Sequence, residues 1–205
     1  MTRVKICGLM RMEDADAVNA ARPDYAGFVF AKSRRQVMPG TARKLTSRLD
    51  AGIAAVGVFV DERPQDVADV ARYCRLKAVQ LHGNEDNGYI ARLRKLLRGE
   101  QVIQAFRVRD EETLERAASS TCDLLLLDAW VPDAAGGAGQ AFDWKLLAGF
   151  ECPYLLAGGL NERNVEDALE RLRPWGVDVS SGVETEGCKD AGKILRFTER
   201  VRRLT

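Results

Sequence analysis

The feature that most constrains the fold of this chain is a structural repeat: short apolar runs alternate with longer amphipathic stretches about eight times in 205 residues. Short apolar runs rich in β-branched residues predict strands, and amphipathic stretches of helical period predict helices. The predicted strands are Val4–Cys7, Tyr25–Phe30, Ala54–Val60, Ala78–Leu81, Val102–Arg107, Leu124–Asp128, Tyr154–Ala157 and Val177–Ser180. A strand followed by a helix, repeated along the chain, indicates a parallel sheet.

The helix starts and the spacing of the repeat narrow the architecture further. Helices are predicted to begin at Pro64, Asn161 and Asp190, where proline or a capping side chain precedes an amphipathic run. Eight units in 205 residues leave roughly 25 residues for each, close to the compact limit for a (β/α)8 barrel. A doubly wound sheet is the competing architecture, but it binds its ligand at one switch point, whereas polar residues here follow nearly every strand. We therefore predict an α/β fold in which residues 1–205 form a single (β/α)8 TIM barrel domain.

One connection breaks the repeat. Residues 131–141, after the sixth predicted strand, are too rich in glycine for a helix and predict a mobile loop over an active site. The glycines at 136–139 do not form a Walker loop, because the Gly-Lys-Ser/Thr ending is missing.

Charge and cysteine content exclude several classes of protein. A net charge of +1 provides no global basic field for nucleic acid or an anionic membrane surface, so an anionic ligand must be held locally. The longest apolar stretch, residues 53–60, is far shorter than the roughly 18 residues that span a bilayer. The five cysteines are scattered without C-x-x-C spacing, which predicts reduced thiols and no metal site. We expect a cytoplasmic protein with no nucleic-acid or membrane partner.

Cys7 is the first polar group at a strand end, where the chemistry of such barrels lies. Gly8 lets the chain turn, so the thiol would face the barrel mouth; the alternative is an inert buried cysteine. Lys5 lies two residues earlier on the same face, and Asp178 on the neighbouring last strand would also point inward. The two either form a buried ion pair or face solvent. As a pair they would place a cation where it favours the Cys7 thiolate.

Asp128 ends a strand apolar enough to be buried on both faces. Burial there would raise the pKa of its carboxyl group toward that of a general acid, whereas the alternative is an aspartate that caps a turn. Cys7 and Asp128 come from nearly opposite strands and could flank one substrate, one taking a proton and the other giving one.

Phosphate binding in these barrels follows strands seven and eight, and both places here fit. Gly158 and Gly159 offer unhindered backbone N–H groups before a helix, and Ser180, Ser181 and Gly182 offer hydroxyls and another glycine. Glycines also merely turn corners, but two such segments on consecutive units predict a phosphate site.

Other polar residues follow strands two, four and five. Arg35 could clamp a substrate carboxylate, or belong to a solvated run of charges. Gln80 and His82 share a face directed into the mouth, and because His82 has no local acidic partner we predict a polar pocket wall. Arg107 is either a ligand contact or the partner of a neighbouring side chain.

Taken in order, these motifs resemble the phosphoribosylanthranilate isomerase family of tryptophan biosynthesis. The matching segments are K-I-C-G at 5–8, Q-L-H-G at 80–83, L-L-L-D at 125–128, G-G-x-G-Q-x-F-D-W at 136–144, A-G-G-L at 157–160, D-V-S-S-G-V-E at 178–184 and G-C-K-D at 187–190. The resemblance covers almost the whole chain. It implies a (β/α)8 barrel and the Amadori rearrangement of N-(5-phosphoribosyl)anthranilate to 1-(2-carboxyphenylamino)-1-deoxyribulose 5-phosphate, with no cofactor or metal.

The resemblance also implies residue roles. Asp128 resembles the general acid that protonates the furanose ring oxygen, and Cys7 the general base that removes the C2 proton. Arg35 matches the contact to the anthranilate carboxylate. The phosphate contacts map onto the Gly158–Gly159 and Ser180–Gly182 backbone. The partner is thus a phosphosugar substrate, and monomer and homodimer are both open.

Two rival functions come from different classes. A histidine-pathway aldose–ketose isomerase performs the same rearrangement on a larger substrate, but that family uses a carboxylate at the end of strand one, where this chain has Cys7. A non-catalytic phosphate-binding barrel would need no paired acid and base, so the presence of both Cys7 and Asp128 argues against it.

Overall fold

Eight parallel strands form a closed barrel, as a computed structural model of the chain shows; the structure describes residues 1–129 and 144–204. Each strand pairs with the next, and the last closes against the first with Lys5 opposite Asp178. The strands are β1 Arg3–Cys7, β2 Tyr25–Val29, β3 Ala54–Phe59, β4 Ala78–Leu81, β5 Gln101–Val108, β6 Leu124–Ala129, β7 Tyr154–Ala157 and β8 Gly176–Val179. The predicted (β/α)8 barrel is confirmed.

Helices follow the strands on the outside of the barrel. In the described ranges they are α1 Met12–Ala21, α2 Pro39–Thr46, α3 Pro64–Cys74, α4 Asn87–Arg94, α5 Glu111–Ala118, α6 Val165–Leu172 and α7 Ala191–Arg203. Short 3-10 helices span Trp144–Leu147 and Ser181–Val183, and a small antiparallel hairpin of β9 Glu184–Thr185 and β10 Cys188–Lys189 lies between β8 and α7. None of the helices in the described ranges combines the length and apolarity that crossing a bilayer requires.

Two of the three predicted helix starts are confirmed, and one is wrong. Proline at position 64 opens α3, and the Asp190 carboxylate caps α7 by accepting the Lys193 N–H at 2.9 Å. Helix α6 begins at Val165 instead of Asn161. Asn161 starts a turn in which its own N–H donates to the Asn164 side-chain oxygen at 2.8 Å, so the capping residue organises a turn before the helix. The predicted loop at 131–141 lies outside the described residues.

The barrel has two apolar layers with different partners. Alternate strand residues such as Val4, Ile6 and Phe28 point outward and pack under the helices. The residues between them fill the barrel interior, including Ile103 and Leu126, and form a separate cluster. Because strand side chains alternate, the inward set continues up each strand to the polar residues at the carboxyl ends. The polar residues at the strand ends thus lie directly above the apolar interior of the barrel.

Candidate active site

A cavity of about 850 Å³ opens at the carboxyl ends of the barrel strands. Its lining includes every residue that the sequence predicts for the site except Gly182: Cys7, Arg35, Gln80, His82, Arg107, Asp128, Gly158, Gly159, Ser180 and Ser181. These residues lie at or after the ends of seven different strands, and the closed barrel brings them together.

Cys7 ends β1 with its side chain at the cavity wall and only 8% of the residue exposed. Gly27 on β2 makes room for the thiol, because a side chain at that position would lie 2.8 Å from the Cys7 sulfur. Gly8 turns the chain with φ +88°, and the aliphatic part of Arg35 occupies the space beside it. The glycines on either side of Cys7 therefore serve both the thiol and the arginine.

The predicted pair of Lys5 and Asp178 is present below Cys7. Lys5 Nζ lies 2.8 Å from Asp178 Oδ1, and the lysine side chain is fully buried. Burial lowers the pKa of Lys5, but the interactions with Asp178 and, to a smaller extent, with Cys7 outweigh it and raise the pKa overall, so the lysine stays cationic.

Burial and nearby cations have opposite effects on the pKa of the Cys7 thiol. Burial raises its pKa most strongly, while the cations of Lys5 and Lys189 lower it. The net pKa is above the ordinary value, so in the free protein the thiol is the dominant form. Lys5 lowers the pKa of Cys7 as expected, but burial raises that pKa by more.

Asp128 stands at the end of β6 and faces His82 from β4. His82 Nε2 lies 3.6 Å from Asp128 Oδ2, and their side chains are 23% and 26% exposed. The apolar wall expected around Asp128 therefore covers it only in part. His82 has no acidic partner nearby in sequence, but the barrel brings Asp128 to it from a strand more than 40 residues away.

Gln80 contacts the ring of His82. The Gln80 side-chain nitrogen lies 3.0 Å from His82 Nδ1; with this amide orientation Nδ1 accepts, and the ring proton lies on Nε2, the atom that faces Asp128. The pair is more than a polar wall, since it presents an N–H to the carboxyl group of Asp128.

Arg35 reaches the cavity with its guanidinium already engaged by Glu184. Arg35 Nε donates to Glu184 Oε1 at 2.6 Å, and Nη2 donates to Oε2 at 3.0 Å. Lys189 Nζ donates to the same Oε1 at 2.7 Å, and Glu184 and Lys189 are both almost fully buried. Burial acts to raise the pKa of Glu184, but Arg35 and Lys189 outweigh it and lower the pKa to about 2. Glu184 is therefore a carboxylate at neutral pH, held by Arg35 and Lys189.

The two segments predicted to bind phosphate lie side by side. Gly158 and Gly159 have positive φ, and a side chain on Gly158 would collide with the Ala129 backbone. Gly182 is set back from the cavity because it packs against the Leu160 carbonyl, so it allows the two loops to approach.

The hydroxyls of this region differ in what they can contact. Ser180 Oγ donates to the Cys7 carbonyl at 2.9 Å, so this hydroxyl ties β8 to β1. Ser181 is exposed at the start of a 3-10 turn and lines the cavity. Arg107, also exposed, lies opposite Asp128 in the β5–β6 register, and its guanidinium has no ion-pair partner among the described residues.

This geometry can be compared with known proteins. A family model for N-(5'-phosphoribosyl)anthranilate (PRA) isomerase matches residues 4–200. The chain belongs to the PRA isomerase family. The isomerase of Acetivibrio thermocellus is 48% identical over 98% of this chain and 96% of that protein. The crystal structure of the isomerase from Thermotoga maritima superposes with a TM-score of 0.90 at 40% identity, covering 99% of this chain and all of the other.

A second solved structure bears on ligand binding. It is a PRA isomerase in complex with reduced 1-(o-carboxyphenylamino)-1-deoxyribulose 5-phosphate, and it superposes with a TM-score of 0.86 at 38% identity over 99% of this chain and all of the other. Family membership confirms the sequence resemblance, and with it an isomerase of tryptophan biosynthesis.

For a PRA isomerase, the sequence indicated ten residues of the cavity lining but missed Glu184 and Lys189, which form a buried pair next to Arg35. Both lie inside segments that carry the family resemblance, at 178–184 and 187–190, yet neither follows a barrel strand directly. The available signal was a charged residue on each side of a short glycine-containing turn, which is typical of a hairpin with a cross-strand pair. Among the described residues, no group of three or more His, Cys, Asp or Glu side chains is placed to hold a metal ion.

Proposed function

We propose that this chain isomerises N-(5'-phosphoribosyl)anthranilate in the cavity at the strand ends, with Asp128 as general acid and Cys7 as general base. The observation that carries the proposal is that these two proton-transferring groups, from β1 and β6, line one cavity together with the glycine loops after β7 and β8. A substrate anchored by its phosphate at those loops would lie between the acid and the base.

Each step moves a proton and needs no electron acceptor. Protonated Asp128 gives its proton to the furanose ring oxygen, the bond between that oxygen and C1 breaks, and a Schiff base forms between C1 and the anthranilate nitrogen. Cys7, through the minor fraction that is thiolate, takes the C2 proton; the electrons of the C2–H bond form the C1–C2 double bond while the C1–N π electrons move onto nitrogen, which gives an enolamine. Transfer of the enol proton to C1 gives the ketone. Asp128 has then lost one proton and Cys7 has gained one, so the product is an isomer of the substrate.

The charged residues around the cavity give the substrate one orientation. The phosphate would bind backbone N–H groups of Gly158, Gly159 and Ser181, and Arg35 would contact the anthranilate carboxylate. His82 presents its Nε2–H to Asp128 and would stabilise the carboxylate that remains after proton transfer. We assign Arg107 to the same wall as a ligand contact, since it has no ion-pair partner there among the described residues.

The experiment is a fluorescence assay. Purified protein is added to freshly made phosphoribosylanthranilate, and the loss of anthranilate fluorescence is followed for wild type, Cys7→Ala and Asp128→Asn. We expect rapid decay with wild type and a loss of about 10²- to 10⁴-fold in either variant. Cys152→Ala, a half-buried cysteine away from the cavity, is the matched control and should retain the wild-type rate.

Two outcomes would contradict parts of the proposal. No acceleration by folded wild-type protein would overturn the substrate assignment. Decay that survives Cys7→Ala would leave the substrate in place and remove the base.

The cellular setting follows from the same assignment. All five cysteines are free thiols, which fits a reducing cytoplasm, and we place the reaction there. One solved relative from Thermotoga maritima is described as monomers made from a dimeric isomerase. Monomer and homodimer both stay predictions for this chain, to be separated by light scattering.

A further inference from the structure

We propose that Glu184 is a positioning residue, which holds the Arg35 guanidinium in the orientation that receives the substrate carboxylate. This inference rests on the proposed function, because it takes from it the contact between Arg35 and that carboxylate. Glu184 calls for a role, because it is a buried carboxylate that takes part in none of the proposed proton transfers.

The first step is the anchor of Glu184. Glu184 and Lys189 are directly opposite each other in the β9–β10 hairpin, and their side chains pair at 2.7 Å. The Lys189 ammonium also donates to the Ser180 carbonyl at 3.0 Å, and Arg11 Nη2 donates to the Lys189 carbonyl at 3.0 Å. Lys193 Nζ holds the backbone carbonyl of Glu184 at 2.7 Å. The hairpin that carries the Glu184 carboxylate is therefore fixed by contacts with Ser180, Arg11 and Lys193.

The second step is the grip on Arg35. Both carboxylate oxygens of Glu184 are used, in the two-point geometry that fixes the plane of a guanidinium. The aliphatic part of Arg35 packs on Gly8, next to Cys7. This leaves Nη1 as the nitrogen without a hydrogen bond to the described residues, on a side chain that lines the cavity.

The third step separates Arg35 from its neighbour. Arg34 Nη2 also pairs with Glu184, at 2.7 Å, but the Arg34 side chain is 59% exposed whereas that of Arg35 is 20% exposed. An exposed pair adds little to the position of its partners. Removal of Arg34 thus leaves the grip of Glu184 on Arg35 in place, which makes Arg34→Ala a matched control on the same carboxylate.

The test measures binding of two probes. The first is reduced 1-(o-carboxyphenylamino)-1-deoxyribulose 5-phosphate, and the second is the same compound without the carboxyl group. Calorimetry gives the Kd of each for wild type, Glu184→Gln, Arg35→Met and Arg34→Ala. We expect Glu184→Gln to raise the Kd of the carboxylated probe by about 10- to 100-fold. The Kd of the second probe should stay within about threefold of the wild-type value. Arg34→Ala should change neither Kd by more than about threefold.

A merely structural role for Glu184 would weaken both probes equally, and that result would overturn the proposal, as would unchanged binding of both. In the Arg35→Met background, Glu184→Gln should add no further discrimination between the probes. If Arg35→Met alone fails to discriminate between them, the carboxylate contact in the proposed function is wrong, and the role of Glu184 falls with it. If Arg35→Met discriminates and Glu184→Gln does not, only the role of Glu184 is lost.

A second variant covers the case in which Glu184→Gln does not fold. Glu184→Asp keeps the charge that buried Lys189 requires, but withdraws the oxygens from Arg35 by one methylene. It should reduce the preference for the carboxylated probe in the same direction. An unchanged preference would contradict the proposal.

Discussion

The two walls of the cavity are built differently, although each carries one of the two residues proposed to transfer protons. The wall formed by β1, β8 and the β9–β10 hairpin holds Cys7 among buried ion pairs: Lys5 with Asp178, and Lys189 with Glu184. The wall formed by β4, β5 and β6 holds Asp128 with partly exposed neighbours. Cys7 is thus surrounded by charges that the protein itself provides, whereas Asp128 faces groups that solvent or a ligand can still reach.

This difference follows from the packing of the elements. Lys5 is inward-facing on a strand that neighbours β8, so its charge must be neutralised within the barrel, and Asp178 is in register to do so. Arg107 is at the end of its strand, where water can solvate the guanidinium, and it needs no partner. We therefore expect the wall that carries Cys7 to be sensitive to the removal of a charge and the wall that carries Asp128 to tolerate it.

The largest expected effect is on stability. Lys5→Met leaves Asp178 without its partner below the cavity floor, and breaking a buried pair in this way costs roughly 3–5 kcal/mol. Arg107→Met, on the opposite wall, should change the free energy of unfolding by less than about 0.5 kcal/mol. Urea unfolding of both variants checks the contrast. Equal effects would mean that the two walls do not differ in this respect.

A smaller effect should appear on acidification. The pKa of Glu184 is lowered to about 2 from an ordinary 4.5, so its charge stabilises the fold above pH 4.5. That contribution is lost as the pH falls from 4.5 to about 2. It amounts to roughly 3 kcal/mol, since each unit of pKa difference is worth about 1.4 kcal/mol.

Glu184→Gln removes this acid-sensitive term. Its free energy of unfolding should therefore fall less between pH 5 and pH 2.5 than that of wild type, as urea titrations at several pH values would show. Glu186→Gln, an exposed residue of the same hairpin turn, is the control and should follow wild type. If Glu184→Gln loses as much stability as wild type over this interval, Glu184 is not the acid-sensitive group.

The sequence predicted the barrel well because its causes are local. Each strand is an apolar run of four to eight residues, and its parity decides which side chains face inward, so Cys7, Gln80, His82 and Asp128 could all be directed to one mouth. The pair of Lys5 and Asp178 could also be predicted from the sequence, because closure of the barrel makes the first and last strands neighbours.

What the sequence could not give are contacts between elements that closure alone does not bring together. The distance between His82 and Asp128 depends on the tilt and register of the strands from β4 to β6, and no local pattern encodes it. The positions of Glu184 and Lys189 depend on a short hairpin outside the barrel repeat. The contact between Glu184 and Arg35 joins residues that are about 150 positions apart in sequence. Burial of Asp128 was overestimated because an apolar strand says little about exposure of the residue that ends it.

The smallest expected effect concerns the Cys7 thiol and tests how far the charged wall reaches. Lys189 lowers the pKa of Cys7 against the larger opposing effect of burial. Lys189→Met should therefore raise that pKa further and slow alkylation of Cys7 by iodoacetamide a few-fold at a fixed pH near 8, because the thiolate is the reacting form. Glu184 retains two arginine partners in this variant, so its carboxylate stays paired.

Mass spectrometry of the Cys7 peptide distinguishes this site from the other four cysteines. Arg107→Met is the control, since its charge belongs to the opposite wall and is not among the main influences on the pKa of Cys7. An equal slowing in both variants would show that the thiol responds to the summed charge of the cavity. Slowing confined to Lys189→Met would show that the reactivity of Cys7 is set by its own wall, and the difference between the two walls would then extend from stability to reactivity.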